Sequence, residues 1–224
     1  IIRTAVILVI AAVTVADPAS GGSDSSVTPH PAQTPKGEIN GKESFQTRYL
    51  TARALHLKGV EGDEDAAERA REILEDLTRR EPGNPLVIAY LGSCRVLEAK
   101  EAVFPWKKGE LAKEGLKLLD RAVKMAPENL EVRFVRGVSS YPLPFFFGVG
   151  DEAEADFAFV AARLEQDPAA VRPEIAAAAF YYHGICLEDD GRENEAARFW
   201  KKAIAAAPDS AFAGKARKML KEME

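Results

Sequence analysis

The stretch AAAAFYYHGICLEDDGRENEAARFWKKAIAAAPDS, residues 176–210, decides how the rest of the chain is read. Apolar residues recur at helical spacing on both sides of a break at Gly191, so two amphipathic helices meet at a glycine turn. Small residues stand at Gly184, Ala196 and Ala203, and large aromatic ones at Phe180 and Trp200. The small residues let two antiparallel helices approach closely while the aromatics fill the space beside them. Pro208 then closes the second helix, because proline cannot continue a helix and pushes its predecessor out of the helical region.

The same order recurs upstream. Four segments end alike: LTRREPGNP (77–85), AVKMAPEN (122–129), RLEQDPAA (163–170) and AIAAAPDS (203–210). Their prolines, Pro82, Pro127, Pro168 and Pro208, lie 45, 41 and 40 residues apart. One unit carries Gly92 within LVIAYLGSCRVL, followed by Gly115, Leu119 and Ala122. The next has Gly137 within VRFVRGVSS, then EADFAFVAARLEQDP. A first, degenerate unit reads SFQTRYLTARALHLK and then EDAAERAREILEDLTRREP.

This pattern resembles the tetratricopeptide repeat (TPR) over about residues 44–210. The resemblance implies an all-α, right-handed solenoid of about four antiparallel helix pairs over residues 43–224, with FAGKARKMLKEME as a polar capping helix. Nine helices are predicted, at about 44–58, 64–81, 85–102, 110–126, 129–140, 151–166, 172–189, 192–206 and 210–223, and no strand. A helix ending VRFVRG, an LPFFFG loop and a following DEAEADF helix also resemble a subgroup of bacterial exported TPR proteins without a clear biochemical role.

With 46% hydrophobic residues, a folded chain of this size buries roughly 70% of its unfolded surface. The 30 basic and 35 acidic side chains give a net charge of -5, and no basic run marks a nucleic-acid footprint. The opening IIRTAVILVIAAVTVADPAS resembles a secretory signal peptide, with Arg3, an apolar run and small residues up to a cleavage point after Ala16. That run is about 12 residues, short of the ~20 that span a bilayer, with an N-terminal membrane anchor as the alternative. Residues 1–16 are therefore expected to be signal or anchor and 17–42 a disordered leader, whose Pro, Ser, Gly, Thr and Gln supply too little apolar surface to offset ordering entropy. The expected location is periplasmic or extracellular. His30 stands alone in the leader. Cys94 and Cys186 occupy equivalent places two repeats apart, too distant for an intrachain disulfide.

No nucleophile–base motif, metal-ligand spacing or phosphate loop is present: HExxH, CxxC, GxSxG and GxxxxGKS are all missing. His56 and His183 read as packed histidines on apolar helix faces. The run EGDED, residues 61–65, lacks the alternating ligands of a calcium loop and suits a helix N-terminus instead. Glu188, Asp189 and Asp190 end a helix and read as a solvated turn, with a functional acidic edge as the alternative. No cofactor, metal or catalytic residue is expected, and an enzyme is disfavoured.

In TPR arrays the first helix of each pair lines the concave face; by that resemblance the inner face here would carry Leu86, Ala89, Tyr90, Ser93 and Leu97. Glu131, Phe134, Val135, Val138 and Tyr141 would follow, then Ala178, Tyr181, Tyr182, Ile185, Glu188 and Asp189. The lining is apolar and rich in tyrosine, and it lacks the Lys, Arg and Asn ladder with which chaperone-binding members clamp a carboxylate. The expected partner contacts are Tyr90, Phe134, Tyr141, Tyr181 and Tyr182 in the groove and Trp106, Phe145, Phe146 and Phe147 in two insertions, EAVFPWKKGE (101–110) and SSYPLPFFFGVG (139–150). Both insertions fall within helix pairs on one edge and are expected to touch. A plug is the preferred arrangement, each aromatic contributing ~1.5 to 3 kcal/mol on burial; an exposed patch would mark a partner site, and a mixture of the two is the third option. The functional expectation is a non-enzymatic scaffold in the cell envelope that binds a protein or peptide, with membrane association only through the N-terminus. The alternative is a periplasmic carrier of a small hydrophobic ligand in a cavity closed by the aromatic loops.

Overall fold

The computed structural model describes residues 44–223. The expected signal segment 1–16, the leader 17–42 and His30 lie outside the described residues. Among the described residues the chain forms nine α-helices and one short 3-10 turn, with no strand. The helices are α1 (Phe45–Val60), α2 (Glu64–Arg80), α3 (Pro85–Glu101), α4 (Pro105–Met125), α5 (Leu130–Ser140), α6 (Gly150–Gln166), α7 (Pro173–Asp189), α8 (Glu193–Ala206) and α9 (Ala211–Glu222). Each odd-numbered helix from α1 to α7 pairs with its successor, each pair stacks on the next, and α9 covers α7 and α8.

Local chemistry sets the helix ends. Ser44, Asp63, Asn84, Asn129 and Ser210 each accept a backbone N–H three residues on, satisfying a donor that the first turn leaves free. Proline sits in the first turn of α3, α4 and α7, where its missing N–H removes no helical bond. The residues before the four repeat prolines, Glu81, Ala126, Asp167 and Ala207, share one backbone shape, with φ of -130, -140, -137 and -149° and ψ of 76, 68, 91 and 84°. Each accepts an N–H from three residues further on, at 3.0–3.2 Å, so the sequence repeat is a repeat of turns.

Close approach within the pairs depends on glycine. A Cβ on Gly92 would lie 2.8 Å from the Gly115 carbonyl oxygen, and one on Gly115 would lie 2.7 Å from that of Gly92, so α3 and α4 meet backbone to backbone. A Cβ on Gly184 would meet the Trp200 indole Nε1 at 2.4 Å. The aromatics and small residues quoted at the outset are therefore complementary shapes on α7 and α8.

Two apolar cores meet at α5. One runs through α1 to α5 and includes Leu74, Leu77, Val87, Ile88 and Leu119; the other runs through α5 to α9 and includes Phe134, Phe157, Leu164, Phe199 and Trp200. Cys94 and Cys186 are both free and buried, one in each core, and burial pushes both thiols up to about 12. The main departure from the predicted helices is at α4, which starts at Pro105 rather than near 110. Pro105 presets a helical φ, Phe104 supplies the cap position, and the helix runs through Gly109, so the apparent insertion shrinks to residues 102–104.

Candidate functional site

The tyrosines expected to line an open groove are built into the helix stack. Tyr90 is buried, its hydroxyl donating to Glu131 Oε1 at 2.7 Å and its ring meeting Tyr49 and His56 edge-on. Arg53 pairs with the same Glu131 oxygen at 3.1 Å and lies over both tyrosine rings, joining α1, α3 and α5. Tyr182 is buried, stacked on Phe157 at 5.1 Å and edge-on to Tyr141 and Tyr181, while Tyr181 packs on Phe212 and under Lys215. Tyr141 is half-buried, and its hydroxyl donates to Asp189 Oδ2 at 3.0 Å. Phe134 is buried in the second core. Adjacent first helices lie close enough for these rings to fill the space between them, which leaves little of their surface for a partner.

Openness is found instead at the edge where each first helix turns into its second. A cleft of about 440 Å³ lies between the ends of α3 and α5, the start of α4 and the loop from Pro142 to Phe147. Val96, Leu97, Ala99, Ala112 and Val138 give it apolar walls, and Lys100 and Lys108 stand at its side. Of the inner-face residues foreseen from the sequence, Ser93, Leu97, Val138 and Tyr182 border it.

The expected plug is corrected here. Phe145, Phe146 and Phe147 form a 3-10 turn closed by Gly148 at φ 69°, with Phe147 N–H donating to Pro144 O at 3.0 Å and Gly148 N–H to Phe145 O at 2.9 Å. That tight turn sends its side chains in different directions. Phe147 packs on Ala99, Leu111 and Ala112, next to the first insertion, and residues of both insertions border the same cleft. Phe145 and Phe146 are 81% and 71% exposed, Trp106 is 71% exposed, and Phe104 stacks on it at 4.6 Å. One phenylalanine anchors the loop as a wall and the other two stand out from it.

Sequence reading missed a hydrogen-bonded group at the base of the cleft. His56 Nε2 lies 2.8 Å from Ser93 Oγ, and Ser139 Oγ lies 2.9 Å from Ser93 Oγ and 2.7 Å from the Val135 carbonyl oxygen. Ser93 and Ser139 border the cleft. Their spacings of 37 and 46 residues follow from helix stacking and leave no local motif to find. Burial, reinforced by the Arg53 cation, pushes His56 down to about 4. A general base must become imidazolium, and a neighbouring cation opposes that; Ser93 also lies in mid-helix, where backbone N–H groups are already bonded. The trio is best suited to holding α1, α3 and α5 in register beneath the cleft.

Its pH signature follows. The unfolded chain takes up the His56 proton near the ordinary 6.5 and the folded chain near 4, so stability is full above 6.5, falls as pH drops between those values, and levels off below. The loss is about 3 kcal/mol. His183, also pushed down chiefly by burial, acts in the same direction, so the measurement is the difference between wild type and His56→Gln in denaturant midpoints across that window. Parallel curves would reject the assignment.

Among the described residues no group of three His, Cys, Asp or Glu is placed to hold a metal ion, and no helix is long and apolar enough to cross a membrane. Glu188, pushed up by burial and by the Asp189, Glu222 and Glu193 carboxylates, belongs to an acidic turn tied to the fold through the Asp189–Tyr141 bond.

Similarity to solved structures agrees with the architecture. A thermophilic TPR protein of Thermus thermophilus aligns with 80% of this chain and 82% of its own, at 22% identity and a TM-score of 0.59. YrrB, a TPR protein with an unusual peptide-binding site, aligns over 78% of each chain at 27% identity and a TM-score of 0.45. MamA aligns over 75% of this chain and 89% of its own, at 24% identity and 0.40. No family model matches the chain, and no curated protein does.

Proposed function

We propose that this chain, which carries the tetratricopeptide-repeat fold, is a non-catalytic docking scaffold of the cell envelope that holds a protein or peptide segment by its apolar side chains in the cleft at the turn edge. The observation behind this reading is the cleft itself: it is preformed by three helices and a loop, apolar on most sides, and open rather than closed by the protein's own phenylalanines. A preformed apolar cleft gains affinity because little ordering entropy is lost on binding. The envelope location rests on the apolar run after Arg3 in the N-terminal segment, with residues 17–42 as the spacer to the helical domain. Tyr182 borders the cleft together with Phe146, Phe147 and Leu97, and Trp106 stands exposed beside Pro105 of its lining. A carrier of small hydrophobic ligands is the weaker reading, because such a cargo is best shielded in an enclosed cavity and this one is open along its rim.

Leu97→Asp tests the scaffold. Leu97 is half-buried on the cleft wall, so a carboxylate there meets the partner without entering either core. A polypeptide captured from envelope extract would be identified, its bound segment synthesised, and its affinity measured against both chains. The expected result is at least a tenfold weaker complex with Leu97→Asp, about 1.4 kcal/mol, at an unchanged melting temperature. Equal affinity for the two chains would overturn the assignment of the cleft.

A further inference from the structure

We propose that the outer rim of this edge is a membrane-contacting surface, in which Val103, Phe104, Trp106, Phe145 and Phe146 enter the interfacial layer of a lipid bilayer. The distribution of exposed apolar side chains is the first ground. Among the described residues the exposed large hydrophobics are Leu50, Val103, Phe104, Trp106, Met125, Phe145, Phe146 and Met223, and five of these eight stand on the 102–104 connection, the first turn of α4 and the Phe145–Phe147 turn, which flank one cleft. The other three are scattered singly, as is normal for a soluble surface.

Direction is the second ground. Of the five, only Phe146 borders the cleft; Val103, Phe104, Trp106 and Phe145 do not. A segment seated in the cleft therefore leaves them in water, at exposures from 55% to 84%. Exposed side chains on two neighbouring turns and the adjoining start of α4 suit a broad apolar layer into which each can dip. The turns are also held ready: Phe147 anchors one on Ala99, Leu111 and Ala112, and Pro105 starts a helix on the other.

Residue type is the third. Trp and Phe beside lysines match the headgroup level of a bilayer, where aromatic rings and ammonium groups are both accommodated. Lys100, Lys107 and Lys108 flank the rim. Glu101 lies 3.7 Å from Lys100 and Glu110 3.1 Å from Lys107, whereas Lys108 donates to the Lys100 carbonyl oxygen. Two of the three cations are thus largely neutralised, so insertion of the rings carries the binding and anionic lipid adds a modest preference. The rim adds a second contact to the membrane association expected from the N-terminal segment alone; it shares only Phe146 with the cleft, and Val103, Phe104, Trp106 and Phe145 lie outside the cleft lining.

The full chain has two tryptophans, and Trp200 is fully buried while Trp106 is exposed, so a change in emission reports on the rim even if the N-terminal segment also binds lipid. The probe is vesicles of phosphatidylcholine and phosphatidylglycerol in equal parts. Trp106 emission is expected to shift to shorter wavelength and to be quenched by brominated acyl chains. The double variant Phe145→Ser with Phe146→Ser, which keeps Trp106 and touches neither core, is expected to need on the order of tenfold more lipid for the same response. Emission unmoved by vesicles overturns the proposal, even where the chain floats with them. So does an equal response from the double variant. Protection of Trp106 from iodide by a captured polypeptide, with no response to vesicles, would give the rim to a protein partner instead.

Discussion

Replacing Asp156 with alanine is expected to cost about 3–5 kcal/mol of folding stability. Asp156 is an acid with 0% exposure in a scaffold whose other carboxylates are mostly at the surface. Its Oδ1 accepts from Arg133 Nη1 at 3.0 Å and Arg136 Nη2 at 2.9 Å, and its Oδ2 accepts from Arg136 Nε at 2.6 Å. Arg136 also donates to Asp120 at 3.1 Å, so one carboxylate on α6 organises two arginines on α5 and, through one of them, reaches α4. Removing it leaves two partly buried guanidinium groups facing each other with their shared acceptor gone. Asp156→Asn keeps the shape and loses the charge, so it should fall between alanine and wild type. Chemical denaturation of the three chains decides the matter, and a loss below about 1 kcal/mol in the alanine variant would show that water replaces the carboxylate without penalty.

Trp200→Ala is the second large effect, again about 3–5 kcal/mol, because the indole is fully buried and α7 and α8 cannot collapse fully around the space it leaves. A double-mutant cycle tests the shape argument more sharply. A Cβ on Gly184 would meet Trp200 Nε1 at 2.4 Å and Cδ1 at 2.7 Å, and the ring is locked on its other sides by the core, its Nε1 donating to the Tyr181 carbonyl oxygen at 3.3 Å. Gly184→Ala alone should therefore cost about 1–3 kcal/mol. In a Trp200→Leu background the same methyl group enters vacated space, and its cost should shrink to near zero or reverse. Strict additivity of the two costs would mean that α7 simply shifts away from α8, and that small residues at this position do not set the spacing of the pair.

The legibility of this protein followed the range of the interactions involved. Helix ends were readable because their causes are local: Asn84, Asn129 and Ser210 cap the turn they begin, and the residue before each repeat proline takes one backbone shape. Gly92, Gly137 and Gly184 were readable as close-approach positions because only a missing side chain fits opposite Gly115, Phe157 and Trp200. The start of α4 was misplaced because Pro105 and Gly109 read as loop punctuation, although proline in a first turn and a single glycine in a long helix are both tolerated. The candidate site was legible only in outline. Its two aromatic insertions were visible and their shared edge was foreseen, whereas the division of labour among three adjacent phenylalanines depends on how one 3-10 turn meets α3 and α4.

From sequence alone came the number of helices, their order, the turns between them and the residues that let pairs approach, since each is set by contacts within one repeat unit. Tertiary structure decided which aromatics face water. Tyr90 is buried because Glu131, 41 residues away, meets its hydroxyl and Arg53 covers its ring; Tyr182 is buried because Phe157, Tyr141 and Phe212 converge on it. His56, Ser93 and Ser139 meet only after three helices stack. Amphipathic spacing tells that a side chain leaves the helix on the apolar side, but whether it then finds a neighbour or an open cleft depends on elements one or two repeats away, whose distance the local pattern does not encode.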